Sequence, residues 1–121
     1  MYTRIDHVAI HVENLERSVS FYERHFGFKN YFQHAVSGGP RIAYLKLGDT
    51  VLELTERPET MSGFHFCLET DKFDDSVARL KADGVPLVRA PHETAAREPR
   101  EQNWRRVVFR GPDGEQIELR G

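Results

Sequence analysis

The sequence has little of what membrane, secreted or nucleic-acid-binding proteins usually contain. Its single cysteine, Cys67, excludes an intrachain disulfide. No apolar run approaches the roughly 18 residues of a membrane helix, and the first residues, MYTRIDH, lack the apolar core of a signal peptide. There is no long basic stripe, and the formal net charge is −2. We therefore expect a cytoplasmic protein with neither a membrane nor a nucleic acid as its partner.

What the chain does contain is typical of one globular domain. It has 121 residues, of which 39% are hydrophobic and 30% are charged. That balance excludes a disordered protein, and the length fits a single domain over residues 1–121. Halves of about 60 residues would struggle to bury a core alone, so we expect any two halves to pack together.

The chain repeats itself, and the first match joins two strand–helix segments. "DHVAIHVENLERSV" at 6–19 aligns with "FHFCLETDKFDDSV" at 64–77, which places His7 on His65. Helical apolar positions also coincide in the two segments. Fixed self-similarity of this kind predicts two copies of one structural unit.

The second match lies nearer the end of each half. "AYLKLGDTVLELTE" at 43–56 aligns with "VFRGPDGEQIELRG" at 108–121, which places Glu53 on Glu118. Extra residues of the second half fall in a polar loop, where insertions cost little. We infer two repeat modules, at about residues 2–57 and 62–121.

Hydrophobic periodicity gives each module the same element order. Alternation predicts strands at about 5–12, 28–36, 41–47 and 50–56 in the first module, and at about 64–70, 86–90, 104–110 and 115–120 in the second. Helical spacing predicts helices at 15–26, begun by Asn14 or Glu13, and at about 72–82, capped by Asp71. Each module is therefore βαβββ, which places the protein in the α+β class.

The polar faces of four strands contain the residues of chemical interest. In the first strand, Val8 and Ile10 lie on an apolar face, so His7 and His11 lie on the opposite one. The same alternation places three further residues on polar faces: Glu53, His65 and Glu118. If the sheet curls around its helix-free side, His7 and these three line one cavity.

Two imidazoles and two carboxylates form a mixed nitrogen and oxygen set that suits a divalent first-row metal. The set contains no thiolate, which argues against a closed structural zinc site. A lone histidine or glutamate on a strand is more often simply exposed or hydrogen-bonded. Matching positions in two repeats favour the metal interpretation.

The residues that support this interpretation resemble the vicinal oxygen chelate superfamily. The resemblance covers essentially the whole chain, through "IDHVAIHVENLERSVSFYERHFGF", "LGDTVLELTE", "GFHFCLET" and "GPDGEQIEL". This superfamily includes glyoxalase I, methylmalonyl-CoA epimerase, extradiol dioxygenases, and fosfomycin and bleomycin resistance proteins. The resemblance implies tandem βαβββ modules that form a curved, cup-like mixed sheet with helices outside. It also implies a homodimer and a divalent metal (Ni, Zn, Co, Mn or Fe) bound by four residues: His7, Glu53, His65 and Glu118.

A second carboxylate at Glu53 is similar to glyoxalase I and its relatives. The resemblance therefore implies a lyase or isomerase, in which two neighbouring oxygens of a small substrate bind the metal and a carboxylate transfers a proton. Glu118 and Glu53 are the candidate catalytic bases, and we favour Glu118. Where glyoxalase I usually has an Arg and an Asn for glutathione, this chain has His11 and Arg57, which argues against a glutathione substrate. A ring-cleaving dioxygenase and a non-catalytic binder of small molecules or antibiotics remain alternatives.

Candidate substrate contacts are less sharply defined. His11 points into the proposed cavity, and Arg57, Trp104 and Arg105 are further candidates. The loop at 89–106 interleaves arginines with glutamates. An ion-paired, solvated loop is the simpler interpretation. The alternative is a flap whose arginines bind a substrate carboxylate or phosphate.

Overall fold

A computed structural model describes residue 1 and residues 4–58 and 64–121. The chain divides into two compact units, residues 1–61 and 62–121. In the first unit, five elements follow one another: β1 (Val8–Val12), α1 (Leu15–Phe26), β2 (Lys29–Ala35), β3 (Arg41–Leu47) and β4 (Thr50–Glu56). Its strands form one sheet in the order β1-β4-β3-β2, in which β1 runs parallel to β4 and the other neighbours are antiparallel.

Helix α1 has clear start and stop signals. The side chain of Asn14 accepts a hydrogen bond from the backbone N–H of Arg17, at 2.9 Å, as an N-cap should. Gly27 ends the helix in the left-handed region, with φ of 74°. The helix contacts β3 and β4 and buries Leu15 and Tyr22. One face of the sheet is therefore covered by α1, and the opposite face contains Glu53 and Thr55.

The second unit repeats this order. Its elements are β5 (His65–Glu69), α2 (Phe73–Ala82), β6 (Leu87–Glu93), a short 3₁₀ turn (Pro99–Glu101), β7 (Arg105–Arg110) and β8 (Gln116–Arg120). The sheet order is β5-β8-β7-β6, with β5 parallel to β8. Two βαβββ modules, each with one mixed four-stranded sheet, confirm the predicted fold class.

The differences from the predicted elements lie at their ends. Asp71 was expected to cap α2, but the N-cap residue is Lys72, which makes no side-chain cap. The Thr70 hydroxyl accepts the N–H of Lys72 at 3.1 Å, just before the first helical turn. Strand β6 continues to Glu93 rather than ending near residue 90, because His92 and Glu93 still pair with β7. Within the described ranges, no helix combines the length and apolar character needed to cross a membrane.

Candidate functional site

The first pair of predicted ligands meets on the polar face of the first unit. Ala9 of β1 pairs with Glu53 of β4, and His7 lies two residues earlier on the same side. The Nε2 atom of His7 is 3.0 Å from Oε2 of Glu53. The Glu53 side chain is only 13% exposed, whereas that of His7 is 38% exposed. The pair therefore presents an accessible imidazole against a largely buried carboxylate.

The second nitrogen of His7 is held by another carboxylate. Its Nδ1 atom lies 2.9 Å from Oδ2 of Asp6. The hydrogen bond with Asp6, together with the charge of Glu53, raises the pKa of His7. The same hydrogen bond lowers the pKa of Asp6. A carboxylate on Nδ1 fixes the orientation of a metal-binding histidine and leaves Nε2 for the metal.

Two hydroxyl groups contact the Glu53 carboxylate. The Tyr44 hydroxyl and Thr55 Oγ1 each lie 3.4 Å from Oε1 of Glu53. Burial, and then the charge of Glu53, raise the pKa of Tyr44, so its phenol stays protonated and donates. The Tyr44 ring also meets that of His7 edge-on, with centroids 6.2 Å apart. Both hydroxyls lie at Oε1, whereas His7 lies at Oε2.

The second unit contains the equivalent pair. Cys67 of β5 pairs with Glu118 of β8, and His65 precedes Cys67 by the spacing that separates His7 from Ala9. The Nε2 atom of His65 is 4.0 Å from Oε2 of Glu118, whose side chain is 10% exposed. Desolvation, with the charge of Glu118 adding to it, raises the pKa of the Cys67 thiol to about 11. At neutral pH this thiol is uncharged, which agrees with a ligand set without thiolate.

The donor chemistry of both pairs fits a divalent metal. First-row metals bind imidazole nitrogen and carboxylate oxygen at about 2.1 Å, so two ligand atoms at a right angle lie about 3.0 Å apart. The separation in the His7–Glu53 pair matches this value, and the His65–Glu118 pair is wider. Among the described residues, no group of three or more His, Cys, Asp or Glu side chains could hold a metal ion. Each unit thus offers two ligands, fewer than a protein metal site normally uses.

The predicted substrate contacts of the first unit lie beside its ligand pair or follow it. His11 pairs with Thr55, which places it on the side of the sheet that contains Glu53. Arg57 follows β4, is exposed, and donates its backbone N–H to the carbonyl of Val12 at 2.8 Å. Substrate contact by His11 and Arg57 stays a prediction.

The predicted substrate contacts of the second unit, Trp104 and Arg105, make contacts with other side chains of the protein. The guanidinium of Arg100 lies 5.0 Å above the ring of Trp104. Arg105 forms an ion pair with Asp74 at 2.9 Å and lies 4.6 Å above the ring of Phe73, so its side chain is on the α2 side of the sheet. Glu118 faces the other side. Substrate contact by Trp104 or Arg105 stays a prediction.

The loop between β6 and β7 is organised by a buried carboxylate that sequence reasoning missed. Glu101 is fully buried and is paired with Arg97, through both the backbone and the guanidinium, and with Arg120 at 3.2 Å. These partners lower the pKa of Glu101 to about 2, with the Arg97 hydrogen bond as the largest cause. The sequence gives no signal that Glu101 is the buried member of this loop, because residues 97–101 form no α-helix in which a spacing of four residues would pair side chains. This part of the loop is an ion-paired structure.

Arg106 is one of the arginines in the segment 89–106, and the structure places it beside Glu118. Along β7 the side chains alternate, and Val108 pairs with Glu118, so Arg106 faces the same side as Glu118. Its Nε atom lies 3.8 Å from Oε1 of Glu118 and is buried without a hydrogen-bond partner among the described residues. The alternation of β7 was enough to distinguish Arg106 from Arg105.

A tandem βαβββ fold with a His–Glu pair in each repeat defines a narrow class of proteins. The model of the glyoxalase/bleomycin resistance protein/dioxygenase superfamily matches residues 4–119. The chain therefore belongs to that superfamily, and the resemblance predicted from the sequence is confirmed.

Individual relatives differ in what their names describe. The chain is 24% identical to the metallothiol transferase FosB of Shouchella clausii (strain KSM-K16), over 98% of this chain and 80% of that protein. It is 27% identical to TnmS3, an antibiotic-binding protein from Streptomyces sp. CB03234, over 98% and 94% of the two chains, with a TM-score of 0.78. A glyoxalase I mutant from Zea mays is 22% identical, over 97% of this chain and 44% of that one, with a TM-score of 0.80.

Proposed function

We propose that this protein is a divalent-metal-dependent lyase or isomerase that acts on a small, oxygenated, anionic substrate. Its metal ligands are His7, Glu53, His65 and Glu118. The observation that supports this most strongly is the repeat of one arrangement: in each unit a histidine precedes, by two residues, the strand partner of a largely buried glutamate.

The chemistry follows from the donor set. When bound, the metal supplies Lewis-acid polarisation of two neighbouring substrate oxygens. Glu118 accepts the proton next to the substrate carbonyl, since its carboxylate is shielded from water and, among the described residues, receives no hydroxyl contact like those at Glu53. Asp6 orients His7, and the Tyr44 hydroxyl and Thr55 Oγ1 make longer contacts, at 3.4 Å, with the Glu53 carboxylate.

A non-catalytic binder of small molecules is the second candidate. It is favoured by the likeness to TnmS3, whose name describes antibiotic binding. A metal-dependent ring-cleaving dioxygenase is the remaining alternative, and it requires iron or manganese together with oxygen uptake. Metal binding distinguishes the two enzymatic functions from the non-catalytic binder, because a simple binder does not need a metal ion.

The deciding experiment measures metal directly. We expect elemental analysis of protein purified without added metal, followed by calorimetric titration with Ni, Zn, Co, Mn and Fe(II), to show tight binding of one ion per chain. His7→Ala and His65→Ala should each weaken binding. His92→Ala is the matched control, because His92 is held by the carbonyl of Ala90 at 2.9 Å. A protein that binds no divalent ion, even on addition, would eliminate the lyase and the dioxygenase together.

We also propose a homodimer, and mixing variants tests how its sites are assembled. Inactive His7→Ala and His65→Ala chains are combined after partial unfolding and refolding. If each site uses one chain, every site in the mixture contains one substitution, and metal binding is not restored. If sites are shared between chains, one site of each mixed dimer is intact. Light scattering that shows only monomers would overturn the dimer.

A further inference from the structure

We propose that Arg106 binds an oxyanion group of the substrate, a carboxylate or a phosphonate, immediately beside Glu118. The proposal rests on the metal-dependent function above and names both the substrate class and the residue that selects it. Arg106 lies in the second unit, at the end of the segment 89–106 whose arginines the sequence offered, as an alternative, for binding a substrate carboxylate or phosphate.

The first argument is geometric. Arg106 and Glu118 face the same side of the β7–β8 ladder, but Nε of Arg106 and Oε1 of Glu118 are 3.8 Å apart. That separation exceeds the roughly 3.2 Å limit of a good N–H···O hydrogen bond. The Nε atom is nevertheless buried, and no described residue gives it a hydrogen-bond acceptor. A buried donor without an acceptor is costly, so the protein gains when an acceptor arrives.

The second argument is a comparison with neighbouring arginines. Four of them already reach an acidic side chain at 3.2 Å or less: Arg97 to Glu101, Arg100 to Glu69, Arg105 to Asp74 and Arg120 to Glu101. Within the described part of the chain, the Nε atom of Arg120 also has no hydrogen-bond partner, but its Nη2 atom contacts Glu101 and the carbonyl of Ala95. For Arg106, the acidic contact found among those residues is the long one to Glu118.

The third argument concerns charge. The strand partners of Arg106 are Arg120 on β8 and His92 on β6, neither of which can neutralise a guanidinium. Glu101 neutralises Arg120. If Glu118 serves as a metal ligand, its negative charge is shared with the dication, and Arg106 is left as an uncompensated cation. A guanidinium accommodates two oxygens of one oxyanion in a planar, bidentate geometry.

The consequence is selectivity for acids over their neutral analogues. A substrate that lacks the acidic group would leave the buried Nε–H of Arg106 unpaired, and sites built to hydrogen-bond a group reject analogues without it. We therefore expect acids to bind well and the corresponding esters or amides to bind poorly.

The test uses the full chain, with and without metal, and two small probes. Methylphosphonate and its neutral dimethyl ester are titrated by calorimetry against the wild-type protein and against Arg106→Ala, Arg106→Lys and Arg79→Ala. Arg79→Ala is the matched control, since Arg79 is an exposed arginine on helix α2 of the same unit. We expect Arg106→Ala to weaken methylphosphonate binding by about 10- to 100-fold, as for loss of a charge-assisted hydrogen bond. Arg106→Lys should fall between wild type and Arg106→Ala, and Arg79→Ala should stay within about twofold.

The outcomes separate this proposal from the function on which it rests. Methylphosphonate binding that is equal in the wild-type protein and Arg106→Ala, in protein that binds metal normally, overturns the role of Arg106 and leaves the metal site intact. Absence of metal binding overturns the lyase, yet a loss of anion binding confined to the Arg106 variants would still support an oxyanion site. Equal affinity for methylphosphonate and its dimethyl ester also contradicts the proposal. Thermal melting shows whether each variant is folded. The Arg106→Lys variant, which keeps the positive charge, provides a second substitution in case Arg106→Ala does not fold.

Discussion

The imidazole of His7 lies between two carboxylates, with Nε2 at 3.0 Å from Glu53 and Nδ1 at 2.9 Å from Asp6. The equivalent pair in the second unit is wider, with 4.0 Å between Nε2 of His65 and Oε2 of Glu118. The first pair is therefore the more fixed of the two, because His7 has an orienting partner next to it in sequence.

Removing that orienting partner should weaken metal binding. We expect Asp6→Ala to lower metal affinity by about tenfold or more, the usual cost of losing the hydrogen-bond partner of a ligating histidine. Calorimetric titration with Zn and Ni measures the effect. Asp49→Ala is the control, because Asp49 is an exposed turn residue of the same unit whose recorded contact uses its backbone carbonyl. Equal affinities in the two variants would contradict a role for Asp6.

Local patterns were sufficient to predict most of the fold. The helix at 15–26 was predicted with the bounds that the structure has, because its apolar stripe is flanked by an N-cap asparagine and a left-handed glycine. Strand alternation also placed His7 and Glu53 on one face, where the structure brings them into contact. These features depend on neighbours in sequence or on period-two alternation, both of which a single chain displays.

The burial of Glu101 and the start of α2 could not be predicted, because they depend on contacts that local sequence patterns do not determine. Nothing near Glu101 indicates that its carboxylate is fully buried, since its partner Arg120 lies on a distant strand. Charged residues in a loop are usually solvated, and only the fold decides which one is enclosed. The start of α2 was also misplaced: the helix begins one residue later than a cap at Asp71 requires, with Lys72 as its N-cap residue.

The buried carboxylate of Glu101 should matter for stability. Glu101→Ala leaves the guanidinium of Arg120, whose side chain is only 11% exposed, without its charge partner. Breaking a buried pair by removing one member is strongly destabilising, so we expect the melting temperature to fall by an amount on the order of 5–10 °C. Glu98→Ala removes an exposed partner of Arg100 and should change the melting temperature little. Calorimetric melting of both variants measures the difference, and equal melting temperatures would contradict the role of Glu101.

The same residue predicts a pH dependence. The pKa of Glu101 is lowered to about 2 in the folded protein from a usual value of 4.5, because Arg97 and Arg120 favour the charged form. The stability that its ionised form contributes is therefore present above about pH 4.5 and is lost as the pH falls towards 2. Wild type should lose more stability over that window than Glu101→Gln does. Urea unfolding between pH 6 and pH 3 measures the free energy of unfolding of both proteins. Parallel curves of that free energy against pH would exclude Glu101 as the source of the pH dependence.

Substitution of the two glutamates should separate catalysis from metal binding. Glu118→Gln removes the proposed base but keeps an oxygen ligand, so we expect turnover to fall by about 10²- to 10⁴-fold while part of the metal affinity remains. Glu53→Gln should lose metal affinity but keep more activity per bound ion, because Tyr44 and Thr55 already occupy one oxygen of that carboxylate. Activity is measured on the substrate found by screening small oxygenated acids, alongside exchange of its carbon-bound proton with deuterated water. The exposed Glu93→Gln variant is the control. Near-normal turnover by Glu118→Gln would show that another group takes the proton.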